Sequence, residues 1–256
     1  MRAVIFDFYG TLAHFADREA SNYETVLASH GYTPERAVLD AYVTRYDGVE
    51  HAEHSASEEA YEAWVRARLR SLASACGVPD PRVEHVVDAL RASDRGPMVP
   101  YPEAAATLSA LRQAGLAIGV CSNWGWELNA FLDEVGLLSL VDVGITSARA
   151  GARKPHPGIY AMAVDALGVR AADVVFVGDS WAPDVRGPRR YGMTAVHVWR
   201  DDGRRRERPP DLRAGDYRVG DLTGVLGVVQ AVIRSGPRAA ARSRPVPPPA
   251  PPGRRR

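Results

Sequence analysis

Short, wholly apolar runs alternate with helix-spaced apolar positions along most of this chain. Val4-Ile5-Phe6 has the pattern of a short buried strand, ended by Asp7 and a turn at Gly10. Leu116–Cys121, Val141–Ile145, Val174–Val177 and Thr194–Val198 repeat it. Between these runs Ala104, Leu108 and Leu111 stand at i, i+4 and i+7, with Pro102 suited to a first helical turn and Gly115 to a stop. Ile159, Ala163 and Ala166 show helical spacing again between Pro157 and Gly168. Apolar strands alternating with amphipathic helices predict a parallel sheet covered on both faces, a doubly wound α/β fold. Such sheets carry their chemistry at the carboxyl ends of the strands.

The first connection breaks the pattern. Strand-to-helix loops take about 2 to 6 residues, yet here residues 14–97 intervene. Helical patterns at Tyr23–His30, Pro34–Tyr46, Ser57–Cys76 and Pro81–Ala92 are separated by Gly31, Gly48 and Gly77–Pro79. They predict a helical subdomain inserted at the carboxyl end of the first strand, where it would cap the site, exclude water and select substrates. Residues 1–13 and 98–234 are then the α/β core and 14–97 the cap, with a last helix over Asp221–Ile233. Residues 235–256 are rich in Pro and Arg and cannot bury a core, so a disordered or polyproline tail is expected. A PxxP ligand or an anion-binding arm is the alternative role for that tail.

Composition refines this picture at three points. No stretch approaches the ~18 to 20 apolar residues that cross a bilayer, which excludes an integral membrane protein. Cys76 and Cys121 form neither a metal-ligand nor a disulfide pattern, and the N-terminal apolar run is too short for a signal-peptide core, so a reduced, cytoplasmic protein is expected. The net charge is +1, but the tail carries six Arg and no acid, which leaves residues 1–234 at −5. Of the 32 basic residues, all but Lys154 are Arg. An acidic domain that handles anions must place positive charge locally, and the lone lysine is a candidate.

Four polar sites fall at or beyond strand ends: Asp7-Phe8-Tyr9-Gly10-Thr11-Leu12, Ser122-Asn123, Lys154-Pro155, and Gly178-Asp179 through Asp184. Taken singly, a strand-end Asp is usually a helix cap and a Ser-Asn pair a turn. In order and in register with the strands, they make a phosphate site. Asp7 can act as a nucleophile and Asp179 can join it around Mg²⁺, which prefers a few carboxylate oxygens. Lys154 and the cation offset the repulsion between carboxylates and phosphate, and Ser122 can hold phosphoryl oxygens.

These motifs resemble those of the haloacid dehalogenase (HAD) superfamily, in the class with a helical cap between motifs one and two, over residues 1 to about 234. The resemblance implies a Rossmann-like core with an α-helical cap and a small-molecule substrate. It also implies an aspartyl intermediate on Asp7, catalytic support from Lys154, and Mg²⁺ held by Asp7, Asp179 and the Tyr9 carbonyl with help from Asp184. Ser122, Asn123, Thr11 and Trp124 are the candidate substrate-binding residues. One position departs from the phosphatase pattern: Tyr9 stands where a second Asp would protonate the leaving alcohol. General acid–base help is worth roughly 10² to 10⁴ in rate, and a phenol of pKa near ~10 replaces it poorly. Within the resemblance, Tyr9 points to 2-haloacid dehalogenases, whose halide leaves unprotonated, whereas the retained Asp179 and Asp184 point to phosphorus chemistry. A Mg²⁺-dependent phosphohydrolase or phosphoryl transferase acting on good leaving groups is the expected function. A dehalogenase and a catalytically silent ligand-binding protein are the alternatives. Phosphonoacetaldehyde hydrolases need a cap lysine for a Schiff base, and the cap has none.

Trp124, Trp126 and Trp181 follow the second and fourth motifs and either form an aromatic wall at the site or pack between elements. His51 and His54, beside Glu50 and Glu53, are expected at a solvated cap-helix end, because no further ligand set completes a metal site. His156 is expected to cap the helix after Lys154-Pro155. Arg204-Arg205-Arg206-Glu207-Arg208 lacks the interleaved aromatics of a nucleic-acid surface, so neither a nucleic-acid nor a membrane partner is expected.

Overall fold

The computed structural model describes residues 1–16, 23–92, 96–201, 212 and 217–235. Its centre is a six-stranded, all-parallel sheet with helices on both faces. In chain order the strands are β1 (Ala3–Phe6), β2 (Ala13–Phe15), β3 (Met98–Pro100), β4 (Ala117–Ser122), β5 (Val143–Thr146), β6 (Val174–Gly178), β7 (Thr194–Val198) and β8 (Tyr217–Val219). The sheet runs β5-β4-β1-β6-β7-β8, and β2 pairs separately with β3.

Period-two alternation places successive residues of β1 on opposite faces, and both faces are buried. Val4 and Phe6 join a cluster with Leu108, Leu111, Leu132 and Val225. Ala3 and Ile5 join Ile159, Tyr160, Ala163 and Phe176 on the other side. This double burial explains why the strands read as unbroken apolar runs.

The helices are α1 (Tyr23–Ser29), α2 (Arg36–Thr44), α3 (Glu58–Ala75), α4 (Asp80–Ala92), α5 (Ala104–Gln113), α6 (Leu128–Glu134), α7 (Ser147–Ala150), α8 (Pro157–Ala166), α9 (Gly187–Arg190) and α10 (Thr223–Ser235). Helices α1 to α4 surround an apolar cluster of their own, built from Leu27, Leu69, Leu72, Val83, Val86 and Leu90. Ser57 starts α3 by accepting a hydrogen bond from the Ala60 N–H at 3.1 Å. Polar bridges between α3 and α4 close the outside, from Arg66 to Glu84 and Asp88 and from Arg91 to Glu62.

The β2–β3 ribbon joins the two chain passages between sheet and inserted helices, with Ala13 opposite Pro100 and Phe15 opposite Met98. A second junction lies just before Lys154. Glu50 bridges Ala152, and the Arg153 N–H donates to the Val49 carbonyl at 3.1 Å. Gly151, at φ +64°, comes so close to Ala52 that a Cβ there would lie 2.7 Å from the Ala52 Cα.

The ribbon, α6 and β8 have no counterpart among the elements expected from sequence. Each is too short, with seven residues or fewer, to show a full period. The expected strand at Val141–Ile145 begins two residues later, because a 3₁₀ turn at Leu138–Leu140 precedes it. Asp142 then accepts from the Ile118 N–H at 2.8 Å, ahead of the ladder. The tail beyond Ser235 and the arginine-rich stretch 204–208 lie outside the described residues.

Candidate active site

Parallel register brings the carboxyl ends of three strands level. Phe6 of β1 pairs with Val120 of β4 and Val177 of β6. The next turns therefore start side by side and present Asp7, Ser122 and Asp179 together. The Asp7 N–H donates to the Val177 carbonyl at 2.8 Å, and Gly10, at φ +84°, turns the chain back beneath it. Gly10 meets a conformation that other residues avoid.

Asp7 and Lys154 lie at the centre. Lys154 Nζ donates to Asp7 Oδ1 at 2.7 Å and to Asp184 Oδ1 at 2.6 Å, and its side chain is 2% exposed. Ser122 Oγ donates to the same Asp7 Oδ1 at 2.9 Å. Among the described residues, Asp7 Oδ2 has the Thr11 hydroxyl alone, at 3.5 Å. Asp184 is held by a wide helical turn at Trp181–Arg186, where the Ser180 N–H donates to its Oδ2 at 2.9 Å. Gly178 is needed there, since a Cβ would run into the Asp184 carboxyl.

Asp7, Asp179 and Asp184 are all buried, and one carboxylate oxygen of each lies within 4.8 Å of the other two. At that spacing two unit charges repel by about 3 kcal/mol at an effective dielectric near 20. Burial pushes the Asp184 carboxyl well up, Asp7 and Asp179 add to the rise, and Lys154 opposes it. Burial alone would lower Lys154, but Asp184 and Asp7 more than offset that and hold it above its usual value, firmly protonated. Lys154 thus holds Asp7 and Asp184, and Asp179 completes an oxygen-rich pocket that suits a hard divalent cation.

The other expected site residues divide. Asn123 serves Lys154: its Nδ2 donates to the Lys154 carbonyl at 3.1 Å and its Oδ1 accepts from the Lys154 N–H at 2.7 Å. Thr11 is fully buried behind Asp7, and its carbonyl accepts from Arg200 at 3.1 Å. The Tyr9 ring packs beside Phe15 and Trp124, at centroid distances of 5.4 and 6.2 Å. Trp124 lines a cavity above the site, whereas Trp181 lies against His197 at 5.6 Å and Arg218 at 5.9 Å. Trp126 contacts Tyr61 of α3 and Arg149. The aromatic wall is therefore Trp124 together with residues of the inserted helices. Burial pushes the Cys121 thiol up to about 12, so it is inert at neutral pH.

His197 was not singled out from sequence, where it is one polar residue in an apolar strand. It is 1% exposed, and its Nδ1 accepts from Arg218 Nε at 3.1 Å. That leaves Nε2 to donate to the Asp179 carbonyl, 3.1 Å away, and so to hold the turn that carries Asp179. A buried histidine inside an apolar run was the available signal.

His156 caps α8 as expected, its Nδ1 accepting from the Gly158 N–H at 3.1 Å. The expectation of a solvated end is corrected at His51, while His54 stays partly exposed beside Glu53. His51 is 4% exposed, stacks on Trp64 at 4.6 Å and contacts Ser55 Oγ through Nδ1; His54 stacks on the same indole at 5.3 Å. Tertiary packing overrides local polarity because Trp64 offers both rings an apolar face. Burial pulls the His51 pKa down to about 4, against an ordinary 6.5. Between those values the unfolded chain binds the proton and the folded chain does not, so stability is lost as pH falls from 6.5 towards 4. The loss attributable to His51 is about 2 to 3 kcal/mol. In His51→Phe, urea midpoints measured from pH 7 to 4.5 should fall less steeply than in the wild type, and parallel curves would remove His51 as the cause.

A sequence model of the family described as haloacid dehalogenase-like hydrolase matches residues 1–192. A phosphoserine phosphatase of Thermus thermophilus is 37% identical over 169 residues, covering 62% of this chain and 66% of that protein, just under two thirds of its length. An (S)-2-haloacid dehalogenase of Xanthobacter autotrophicus is 30% identical over 214 residues, 78% of this chain and 76% of that one. The crystal structure of a HAD phosphatase from Thermococcus onnurineus covers 90% of this chain and 98% of its own, with a TM-score of 0.55 at 23% identity, a likeness of fold. Among the described residues, no helix is long and apolar enough to cross a membrane.

Proposed function

Because this chain belongs to the haloacid dehalogenase-like hydrolases, we propose that it cleaves a small organic phosphate, with Asp7 as nucleophile and Mg²⁺ as cofactor. The observation that carries this reading is the set of three buried carboxylates, one oxygen of each within 4.8 Å of the other two. Three clustered carboxylate oxygens suit a divalent cation, and a phosphate that arrives with one brings its own charge neutralisation to Asp7.

Asp7 Oδ1 is anchored by Ser122 and Lys154, which leaves Oδ2 the less encumbered oxygen for attack on phosphorus. The Asp7 oxygen–phosphorus bond forms as the bond to the leaving oxygen breaks, and water then releases phosphate from the aspartyl phosphate. Lys154 offsets negative charge gathering on the phosphoryl oxygens, and Asn123 fixes its backbone from both sides. Asp7, Asp179, Asp184 and the Tyr9 carbonyl would hold Mg²⁺, which supplies charge neutralisation on the phosphoryl group. The inserted helices over residues 14–97 act as the cap that limits water access.

Tyr9 sets the substrate range. With an aromatic ring where a proton donor would stand, leaving groups that depart without a proton are favoured. Tyr9→Asp is expected to raise kcat on alkyl phosphates by about tenfold or more, and far less on aryl phosphates. Equal gains on both, in a stopped phosphate-release assay, would discard that explanation.

Halide displacement is the second reading, favoured by that same ring at position 9. A panel of aryl, acyl and alkyl phosphates and chiral 2-haloacids, each with and without Mg²⁺, separates the two. Mg²⁺-dependent phosphate release supports phosphorus chemistry. Metal-independent halide release sinks it, and inactivity throughout leaves a ligand-binding protein.

A further inference from the structure

A cavity of about 550 Å³ lies between the inserted helices and the loop after β4. Its floor, Asn123 to Gly125, follows directly on the Ser122 that holds Asp7. The volume suits a small-molecule site and exceeds what a phosphoryl group fills, so it has room for the part of the substrate that leaves.

The buried, unsatisfied polar atoms of this wall are all donors. Arg68 Nε, Arg153 Nε and Trp124 Nε1 have no acceptor among the described residues. Arg68 makes no ion pair among them. Its guanidinium is spread over Tyr42, Tyr46 and Trp64 at 4.9, 4.1 and 4.8 Å, and Nη2 reaches the Tyr42 carbonyl at 3.5 Å. Among the described residues, the one acid paired with Arg153 is Asp47, at 3.4 Å. The acids of the wall do not offset these cations: Glu62 is taken by two hydrogen bonds from Arg91, and Glu127 is exposed. A buried N–H without an acceptor is costly, and three in one wall call for a ligand that accepts. A planar guanidinium fork matches a carboxylate. The rings of Phe15, Tyr23, Tyr61, Trp124 and Phe131 match a flat, unsaturated body.

We propose, resting on the phosphohydrolase reading, that the substrate is a phosphate ester of a hydroxyaryl carboxylic acid. Its ring lies against Trp124 and the tyrosines of the inserted helices, and its carboxylate sits on Arg68 and Arg153. The chemistry at Asp7 agrees with this class. When the phosphorus–oxygen bond breaks, its electron pair stays on the phenolate oxygen, which needs no proton until it meets water, and Tyr9 offers none.

The test compares 4-carboxyphenyl phosphate, phenyl phosphate, 4-(2-aminoethyl)phenyl phosphate and O-phosphoserine in the wild-type protein with Mg²⁺. The carboxylated aryl ester should exceed the phenyl ester in kcat/KM by about tenfold or more, mostly through KM. In Arg68→Gln the ratio between these two esters should fall towards one, and Arg68→Lys should keep part of it. Arg153→Gln is read in the same way where Arg68→Gln does not fold. Independently of turnover, 4-hydroxybenzoate should quench tryptophan fluorescence without Mg²⁺, with about tenfold weaker binding in Arg68→Gln. Equal use of the charged and uncharged aryl esters, or preference for the ammonium ester, overturns the anion site. O-phosphoserine turned over as well as the aryl carboxylate overturns the ring requirement. No phosphate from any ester defeats the phosphohydrolase reading, while hydroxybenzoate binding still decides the pocket.

Discussion

Lys154→Met is expected to lower the stability of the metal-free protein by about 3 to 5 kcal/mol at pH 7, the usual cost of stripping the partner from a buried charge pair. Methionine nearly fills the lysine volume, so the loss measures charge rather than packing. The ammonium it removes touches Asp7 at 2.7 Å and Asp184 at 2.6 Å, and the third carboxylate, Asp179, shares the same pocket. With the ammonium gone, burial and the neighbouring acids push the Asp184 carboxyl up further. The folded variant then binds more protons than its unfolded chain across the weakly acidic range, so its stability falls as pH rises. Mg²⁺ should recover part of the loss through binding to the folded state alone. Guanidinium unfolding at pH 5 and pH 7, with and without Mg²⁺, measures all three effects. Midpoints equal to the wild type at pH 7 would show that Lys154 does not balance these acids.

Asp7→Asn is expected to act in the opposite sense on stability and far more severely on turnover. The amide keeps the size of the carboxylate and removes one of three clustered negative charges, so the metal-free protein should be as stable as the wild type or more so. Phosphate release should fall by at least about 10³-fold, because the amide is not a nucleophile. Wild-type protein quenched in acid during turnover should carry phosphate on Asp7, detectable by mass, and the variant should carry none. A variant that keeps a tenth of wild-type activity would move the nucleophile elsewhere. The contrast between the two substitutions tests one electrostatic account: an ammonium that holds two of three clustered carboxylates, and a nucleophile whose charge costs stability.

Much of this architecture was legible from hydrophobic spacing. Strands at β1, β4, β6 and β7 lie within a residue of the apolar runs, since full burial on both faces leaves an unbroken run to read. Helices α1 to α4 follow patterns bounded by Gly31 and Gly77. Elements that depend on partners left weaker traces. The β2–β3 ribbon pairs residues 13–15 with 98–100, and nothing local to either segment announces the other.

The motifs placed Asp7, Ser122, Lys154, Asp179 and Asp184 at strand ends and loops, and the parallel register brings them to one point. Local sequence was less informative about what each polar group touches. Asn123, a candidate substrate contact, lines the cavity and also holds the Lys154 backbone with both ends of its amide, which no local pattern announces. His51 looked solvated, yet it is buried against Trp64. The role of His197 has no local signature beyond one polar residue in an apolar strand, because Arg218 sets its tautomer from a neighbouring strand.

The sequence alone therefore determined the fold class, the inserted helices and the residue types at the site, because periodicity and strand-end chemistry are written within a few consecutive positions. Only the tertiary structure decided how charge is shared, with Lys154 between Asp7 and Asp184, and which donors face the cavity without an acceptor among the described residues. Those properties depend on distances between residues far apart in the chain. Asp7 and Lys154 are 147 positions apart, and their oxygen and nitrogen meet at 2.7 Å.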